Sequence, residues 1–192
     1  MSAPALYFDL GSPYGYLATE RAAAVLSTEP ELRPILLGAI FEYRGRGSWS
    51  QTDARASNVE EVERRAREYG LPPVTWPPGW PPNTLAAMRA ATWARRLGRV
   101  REFALAAYRR AFVDGRDLAE LQVVVEAAAQ AGLPADELPD AIREPGIKDE
   151  LKRATREAWE DSVVGVPCLR VGSEVYYGDD RLEDAAAALR VP

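Results

Sequence analysis

Strand-forming sequence occurs only at the two ends of this chain. Near the start, residues 4–9 read as a strand around Leu6-Tyr7-Phe8-Asp9. A helix is predicted over residues 13–27, with Leu17, Ala18, Arg21 or Ala22, and Val25 tracing an approximate stripe, and Glu29-Pro30 ending it. Leu32 to Leu37 read as a second strand, with Pro34 near its start, where a missing N–H is tolerated. Strand, helix and strand in this order predict a right-handed parallel unit. Near the other end, Cys168–Val171 and Glu174–Tyr177 flank the tight turn Gly172-Ser173 and read as a hairpin. A last helix follows over residues 181–189.

The middle of the chain offers no strands. From Phe41 the glycines and serines Gly45, Gly47, Ser48 and Ser50 predict a loop. Ser57 or Asn58 is expected to cap a charged helix ending near Tyr69-Gly70. Residues 71–82 carry seven prolines or glycines, too many for regular structure. Asn83-Thr84 then start a helix to about Leu97, and a second runs over 99–113 with Phe103, Ala107 and Ala111 on one face. After the turn Asp114-Gly115-Arg116, Asp117 is expected to cap a helix reaching Ala131. A short helix follows Pro134, and another spans Ile147 to about Asp161. These segments read as a helical bundle with short connections. A strand–helix–strand unit at one end and helix–hairpin–helix at the other is the thioredoxin arrangement. The predicted fold class is therefore α/β, a thioredoxin-like fold with a large all-helical insertion. Residues 1–40 and 146–192 would form the thioredoxin-like domain and residues 41–145 the inserted helical domain.

Composition narrows the chemistry. With 29 acidic and 24 basic residues the net charge is −5, which argues against a nucleic-acid partner. No apolar run approaches the roughly 20 residues of a membrane span, and no secretory leader is visible, so no membrane partner is expected. Cys168 is the one cysteine, so no intrachain disulfide forms, and the expected compartment is the cytoplasm. There is no histidine, which removes imidazole ligands, triads and acid–base catalysis. No metal is expected. Any catalysis falls to a hydroxyl, a carboxylate, Lys, Arg, Tyr, the lone thiol or a borrowed cosubstrate.

The turn Gly11-Ser12-Pro13-Tyr14 after the first strand is the prime candidate. Pro13 suits the first helical position, where its missing N–H has no helical partner. Ser12 then has N-cap chemistry at the positive end of a helix, which either merely caps the helix or helps hold an anion. Trp76 and Trp80 read as core cover or as ligand-stacking rings. Arg55, Arg64 and Arg65 read as a solvated charged face. Cys168 reads as a buried, inert strand residue.

Five motifs occur in order: Phe8-Asp9-Leu10-Gly11-Ser12-Pro13-Tyr14, Leu36-Leu37-Gly38-Ala39-Ile40-Phe41, Pro82-Asn83-Thr84-Leu85, Gly165-Val166-Pro167 and Gly178-Asp179-Asp180-Arg181. Together they resemble the 2-hydroxychromene-2-carboxylate isomerases and kappa-class glutathione transferases, within the DsbA-like thioredoxin superfamily, over nearly the whole chain. The resemblance implies glutathione, or another low-molecular-weight thiol, as cosubstrate, with Ser12 as the catalytic residue at the reactive sulfur. It implies that Val166, preceding a cis Pro167, offers its backbone to the cysteinyl part of the thiol. Tyr177, Gly178, Asp179 and Asp180 would hold the γ-glutamyl end. Tyr14, Phe41, Trp76, Trp80 and Asn83 are expected to line the site of a small aromatic or unsaturated substrate. A homodimer is also implied. Members of the family often carry a basic residue just after the second strand; here that stretch reads Phe41, Glu42 and Tyr43, with Arg44 and Arg46 further on.

The chemistry is consistent with this role. A free thiol with a pKa near ~8.5 is only about 3% thiolate at neutral pH, and lowering it by about 2 units, ~2.7 kcal/mol, makes the thiolate dominant. The leading expectation is a thiol-dependent isomerase or transferase. The competing one is a non-catalytic thioredoxin-fold protein that binds a thiol or other ligand. Dithiol exchange is disfavoured, because Gly11-Ser12-Pro13-Tyr14 stands where paired cysteines would be needed.

Overall fold

The computed structural model describes residues 3–190. Strands β1 (Ala5–Phe8), β2 (Glu31–Pro34), β3 (Cys168–Val171) and β4 (Glu174–Tyr177) form one sheet in the order β2-β1-β3-β4. β1 pairs in parallel with β2, from Ala5 opposite Glu31 to Phe8 opposite Pro34. It pairs antiparallel with β3, and β3 with β4. All four residues of β1 are buried. Side chains alternate across a strand. Leu6 and Phe8 therefore join one apolar cluster, with Leu17 and Ala18 of helix α1 (Pro13–Leu26) and Leu182 and Ala185 of the last helix, α9 (Leu182–Leu189). Ala5 and Tyr7 join a smaller one, with Ile40 of α2 (Leu37–Arg44), Ala158 of α8 (Pro145–Glu160) and Cys168.

Helices α3 (Arg55–Glu68), α4 (Leu85–Arg96), α5 (Val100–Phe112), α6 (Leu121–Gln130) and α7 (Leu138–Ala141) follow α2 and precede α8 in the chain. The first cluster runs without a break from Phe8 through Tyr16 and Leu17 to Met88, Phe103, Tyr108 and Phe112. Full burial of a side chain such as Phe8 or Phe103 stabilises the fold by about 1.5–3 kcal/mol. The buried alanines Ala87, Ala91, Ala104, Ala107 and Ala127 let α4, α5 and α6 approach closely, since the side chains at the contact set the distance between helices.

Several boundaries differ from the sequence reading. β2 stops at Pro34 instead of Leu37, and Leu37–Arg44 is helical where a strand end and a loop were expected. The cause is a change of hydrogen-bond partner. Ile35 N–H still donates to Phe8 O (3.0 Å), but Leu36 N–H goes to Thr155 Oγ1 (3.0 Å) and Leu37 N–H to Asp9 Oδ2 (2.9 Å), which takes the backbone off the sheet. Only Ile40 of α2 is buried, so the segment carries no apolar stripe to betray a helix. α3 starts at Arg55, with Ser57 and Asn58 inside its first turn, where both side chains donate back to Ala54 O instead of capping. Asp117 closes a turn by accepting from Ala119 N–H (2.7 Å), and α6 begins only at Leu121. α9 begins at Leu182, after a single 3-10 turn over Asp179–Arg181. Residues 71–82 are irregular, as read, and the Trp80-Pro81 and Val166-Pro167 bonds are cis.

Candidate functional site

The β1–α1 turn builds the centre of the site. Pro13 is the first residue of α1, and Ser12 is its N-cap in extended backbone, with Oγ accepting from Gly15 N–H (3.1 Å). Tyr16 N–H goes to Ser12 O (3.1 Å) and Pro13 has no N–H, so Tyr14 N–H is the one first-turn donor without a partner among the described residues. Because Oγ serves as an acceptor, the Ser12 hydroxyl hydrogen remains free to donate. Ser12 is only 5% exposed, and what exposure it has faces a cavity of about 910 Å³.

That cavity brings together most of the residues singled out by sequence. Ser12 and Tyr14, Val166 and Pro167, the loop Tyr177-Gly178-Asp179-Asp180, and Phe41, Trp80 and Asn83 all stand on its wall. Trp76 does not. It packs edge-on behind Trp80 (4.8 Å between ring centroids) and against Phe112, with Nε1 donating to Glu63 (2.9 Å). Trp80 takes the wall position because its own Nε1 reaches Gly11 O (3.2 Å). Trp49, which the sequence did not single out, packs against Trp80 (5.2 Å) and Tyr14 (6.0 Å), making an aromatic side to the cavity. The backbone N–H and C=O of Val166 have no protein partner among the described residues.

The cavity wall carries both acids and arginines. At the α9 end, Arg65 of α3 reaches Asp179 Oδ1 (2.8 Å) and Asp180 Oδ2 (3.3 Å), and Tyr69 donates to Asp179 Oδ2 (3.0 Å). Asp179 is 1% exposed, and burial pushes its carboxyl up against the pull of Arg65. Burial works against the Arg65 charge, but the acids Glu61, Asp179 and Asp180 outweigh it and hold the guanidinium above its usual range. Arg65 also lies over the Tyr14 ring (5.6 Å), and the Tyr14 phenol, pushed up to about 12 chiefly by burial, donates to Asn58 Oδ1 (2.8 Å). Two more arginines stand on the wall: Arg44, anchored on Val164 O (2.7 Å), and Arg46, whose guanidinium pairs with no acid among the described residues. The sequence reading placed Arg65 on a solvated face. Only the packing of α3 against the α9 loop brings it into the site.

Asp9, quoted in the first motif, has no role of its own in the sequence reading. Its carboxylate is 4% exposed and accepts from Gly11 N–H (2.9 Å), Thr84 Oγ1 (3.0 Å) and Leu37 N–H (2.9 Å). Burial pushes its pKa up, against those three hydrogen bonds. Its carbonyl oxygen accepts from Ser12 N–H (3.0 Å) and from the Tyr108 hydroxyl (3.0 Å). Tyr108 reaches it by passing Gly15, where an added Cβ would lie 2.3 Å from the hydroxyl oxygen. Cys168, by contrast, is buried away from the cavity, and burial pushes its thiol up to about 12.

Fold and site together define a thioredoxin-type domain with serine at the head of its first helix. The DSBA-like thioredoxin domain family matches residues 5–190, and the chain belongs to that family. Among individual proteins, it is 29% identical over 187 residues to a 2-hydroxychromene-2-carboxylate isomerase of Sphingobium xenophagum, with 92% of each chain covered. A solved 2-hydroxychromene-2-carboxylate isomerase superposes with a TM-score of 0.87 at 19% identity, covering 98% of this chain and 94% of that one. The cytosolic disulfide reductase DsbM from Pseudomonas aeruginosa, solved with GSH, superposes at 0.66 with 17% identity, covering 98% and 97%.

Proposed function

We propose that this protein is a glutathione-dependent isomerase or transferase acting on a small aromatic or unsaturated electrophile that carries an acidic group. The observation that carries this reading is the free Ser12 hydroxyl beside the unpartnered Tyr14 N–H, at a helix N-terminus open to a large cavity that holds no thiol of the protein's own. Two donors and the positive end of a helix favour a sulfur anion over a neutral thiol. The similarity to an isomerase of the same family and the likeness to a reductase solved with GSH support the choice of chemistry.

The residues present fit a tripeptide thiol. Val166 has a free backbone N–H and C=O with which to hold the cysteinyl amide. Arg65 and Asp180 offer one positive and one negative group, which suits the carboxylate and ammonium of a γ-glutamyl head. When bound, the thiol supplies a nucleophilic sulfur that adds to an electrophilic carbon and, in an isomerisation, leaves again after bond rotation. Ser12 and Tyr14 N–H hold the charge on sulfur, and the aromatic wall of Trp49, Trp80 and Phe41 excludes water from the substrate ring. Arg44 and Arg46, on the same cavity wall, orient an anionic substituent.

The test is turnover of a panel of aryl-substituted unsaturated acids with glutathione, followed for conjugate or isomer. Ser12→Ala is expected to lower kcat by ~10²-fold, the scale for losing one donor to a developing anion. It should also raise the pKa of the bound thiol, read by thiolate absorbance. Unchanged rates in Ser12→Ala would remove Ser12 from the mechanism, and binding without turnover would leave a thiol-binding protein.

A further inference from the structure

We infer that Asp9 is a positioning residue whose carboxylate clamps the Ser12 turn to the first turns of α2 and α4, fixing the thiol site against the substrate wall. The inference rests on the thiol-dependent reading above and extends it to a residue with no place in that chemistry. Oδ1 takes Gly11 N–H and the Thr84 hydroxyl, and Oδ2 takes Leu37 N–H. Each donor belongs to a different piece of the cavity wall. Gly11 precedes Ser12, Leu37 opens the helix that carries Phe41 and Arg44, and Thr84 follows Asn83 at the head of α4. Leu10 N–H, contacting Met88 Sδ (3.2 Å), adds a second tie from the same turn to α4.

No cation faces this carboxylate, whereas Asp179, the one other buried acid among the described residues, has Arg65. A buried carboxylate is costly unless its hydrogen bonds are all made. Its retention here is explained by what three convergent donors accomplish: a single group sets the separation between nucleophile site and substrate wall.

Asp9→Asn separates this role from mere structure. The amide oxygen keeps Gly11 and Thr84, but its NH2 then faces Leu37 N–H, so two donors meet and the tie to α2 is lost. The Leu37 amide should lose its protection from hydrogen exchange while Gly11 keeps its own. With α2 displaced, kcat is expected to fall ~10²-fold while the Kd for glutathione stays within about threefold, because the thiol side of the cavity is untouched. A protected Leu37 amide in Asp9→Asn, or wild-type kcat and KM with only a lower Tm, overturns the inference. Should Asp9→Asn fail to fold, Thr84→Val and Thr84→Ser decide: loss of kcat in the valine variant, restored by the serine hydroxyl, supports the clamp, and a valine variant equal to wild type overturns it. If the wild-type protein turns over no electrophile, the thiol-dependent reading fails by itself. Exchange at Leu37 then still reports whether Asp9 holds α2.

Discussion

Gly15 shows how tightly the residues around Ser12 are interlocked. It sits in the first turn of α1, where alanine would ordinarily favour the helix by up to about 1 kcal/mol. Here a Cβ would meet the Tyr108 hydroxyl at 2.3 Å and its ring at 3.2 Å. Tyr108 is fully buried and bonded to Asp9 O, so it has nowhere to move without giving up that bond. Gly15→Ala is therefore expected to destabilise the protein by about 2 kcal/mol, within the usual cost of overpacking a core. Denaturant midpoints measure this directly. Tyr108→Phe in the same chain should recover part of the loss, since the hydroxyl oxygen is the atom struck. An unchanged midpoint in Gly15→Ala would mean that α1 and α5 are packed less closely than described.

At the scale of elements, α3 is joined to the thioredoxin part through Arg65, and that joint carries a pH signature. Burial holds the folded-state Asp179 carboxyl above its ordinary 3.8, so its contribution favours folding most below that value and is lost as pH rises through the folded pKa. Replacing Arg65 by methionine removes the cation that opposes this rise. Glu61, held near 2 first by Arg64 and then by Arg65, loses stabilisation in the same sense: present above its ordinary 4.5, lost as pH falls through its folded value. Both effects make the gap between Arg65→Met and wild type narrow as pH falls, closing only near pH 2 where Glu61 protonates, and widen toward neutrality to about 3 kcal/mol, the low end for breaking a buried pair because Arg65 is part-exposed. Thermal melts of both proteins from pH 3 to 7 give the comparison, and a constant gap would refute the joint. Nothing local in the sequence marks Arg65 apart from Arg64 beside it, which among the described residues pairs only with Glu61 and Glu68 on its own helix. The same limit applies to α2, whose start is decided by Asp9, 28 residues away, and by Thr155 in α8. What the sequence does display is local: the Ser12 cap, Pro13 at the helix start, the hairpin at Gly172-Ser173 and the face of Phe103, Ala107 and Ala111 on α5. Those were legible because each is set by neighbours within a turn or two. Residues that meet across the cavity were not.

At the scale of the molecule, the placement of the site has a consequence for how the chain unfolds. The apolar core runs across the expected division into residues 1–40 with 146–192 and an inserted 41–145. Phe8 and Tyr16 pack with Tyr108 and Phe112 of α5 at ring separations of 5.8 to 6.2 Å, and the cluster continues through Met88 and Phe103. A helical insertion cut from the chain would leave those side chains facing water, so it is expected not to fold alone. The intact protein is expected to unfold in one cooperative step. Tryptophan placement makes this measurable, since Trp49, Trp76, Trp80 and Trp93 lie in the insertion while Trp159 lies on α8. A variant keeping only Trp159 reports on the thioredoxin side, and one keeping only Trp93 reports on the bundle. Urea transitions from the two variants, compared each with its own far-UV circular dichroism, should coincide. Two separated midpoints, with Trp93 changing first, would show an autonomous bundle. The cavity between the parts would then open before the sheet melts, and the clamp at Asp9 would be the weakest seam in the protein rather than its best-tied one.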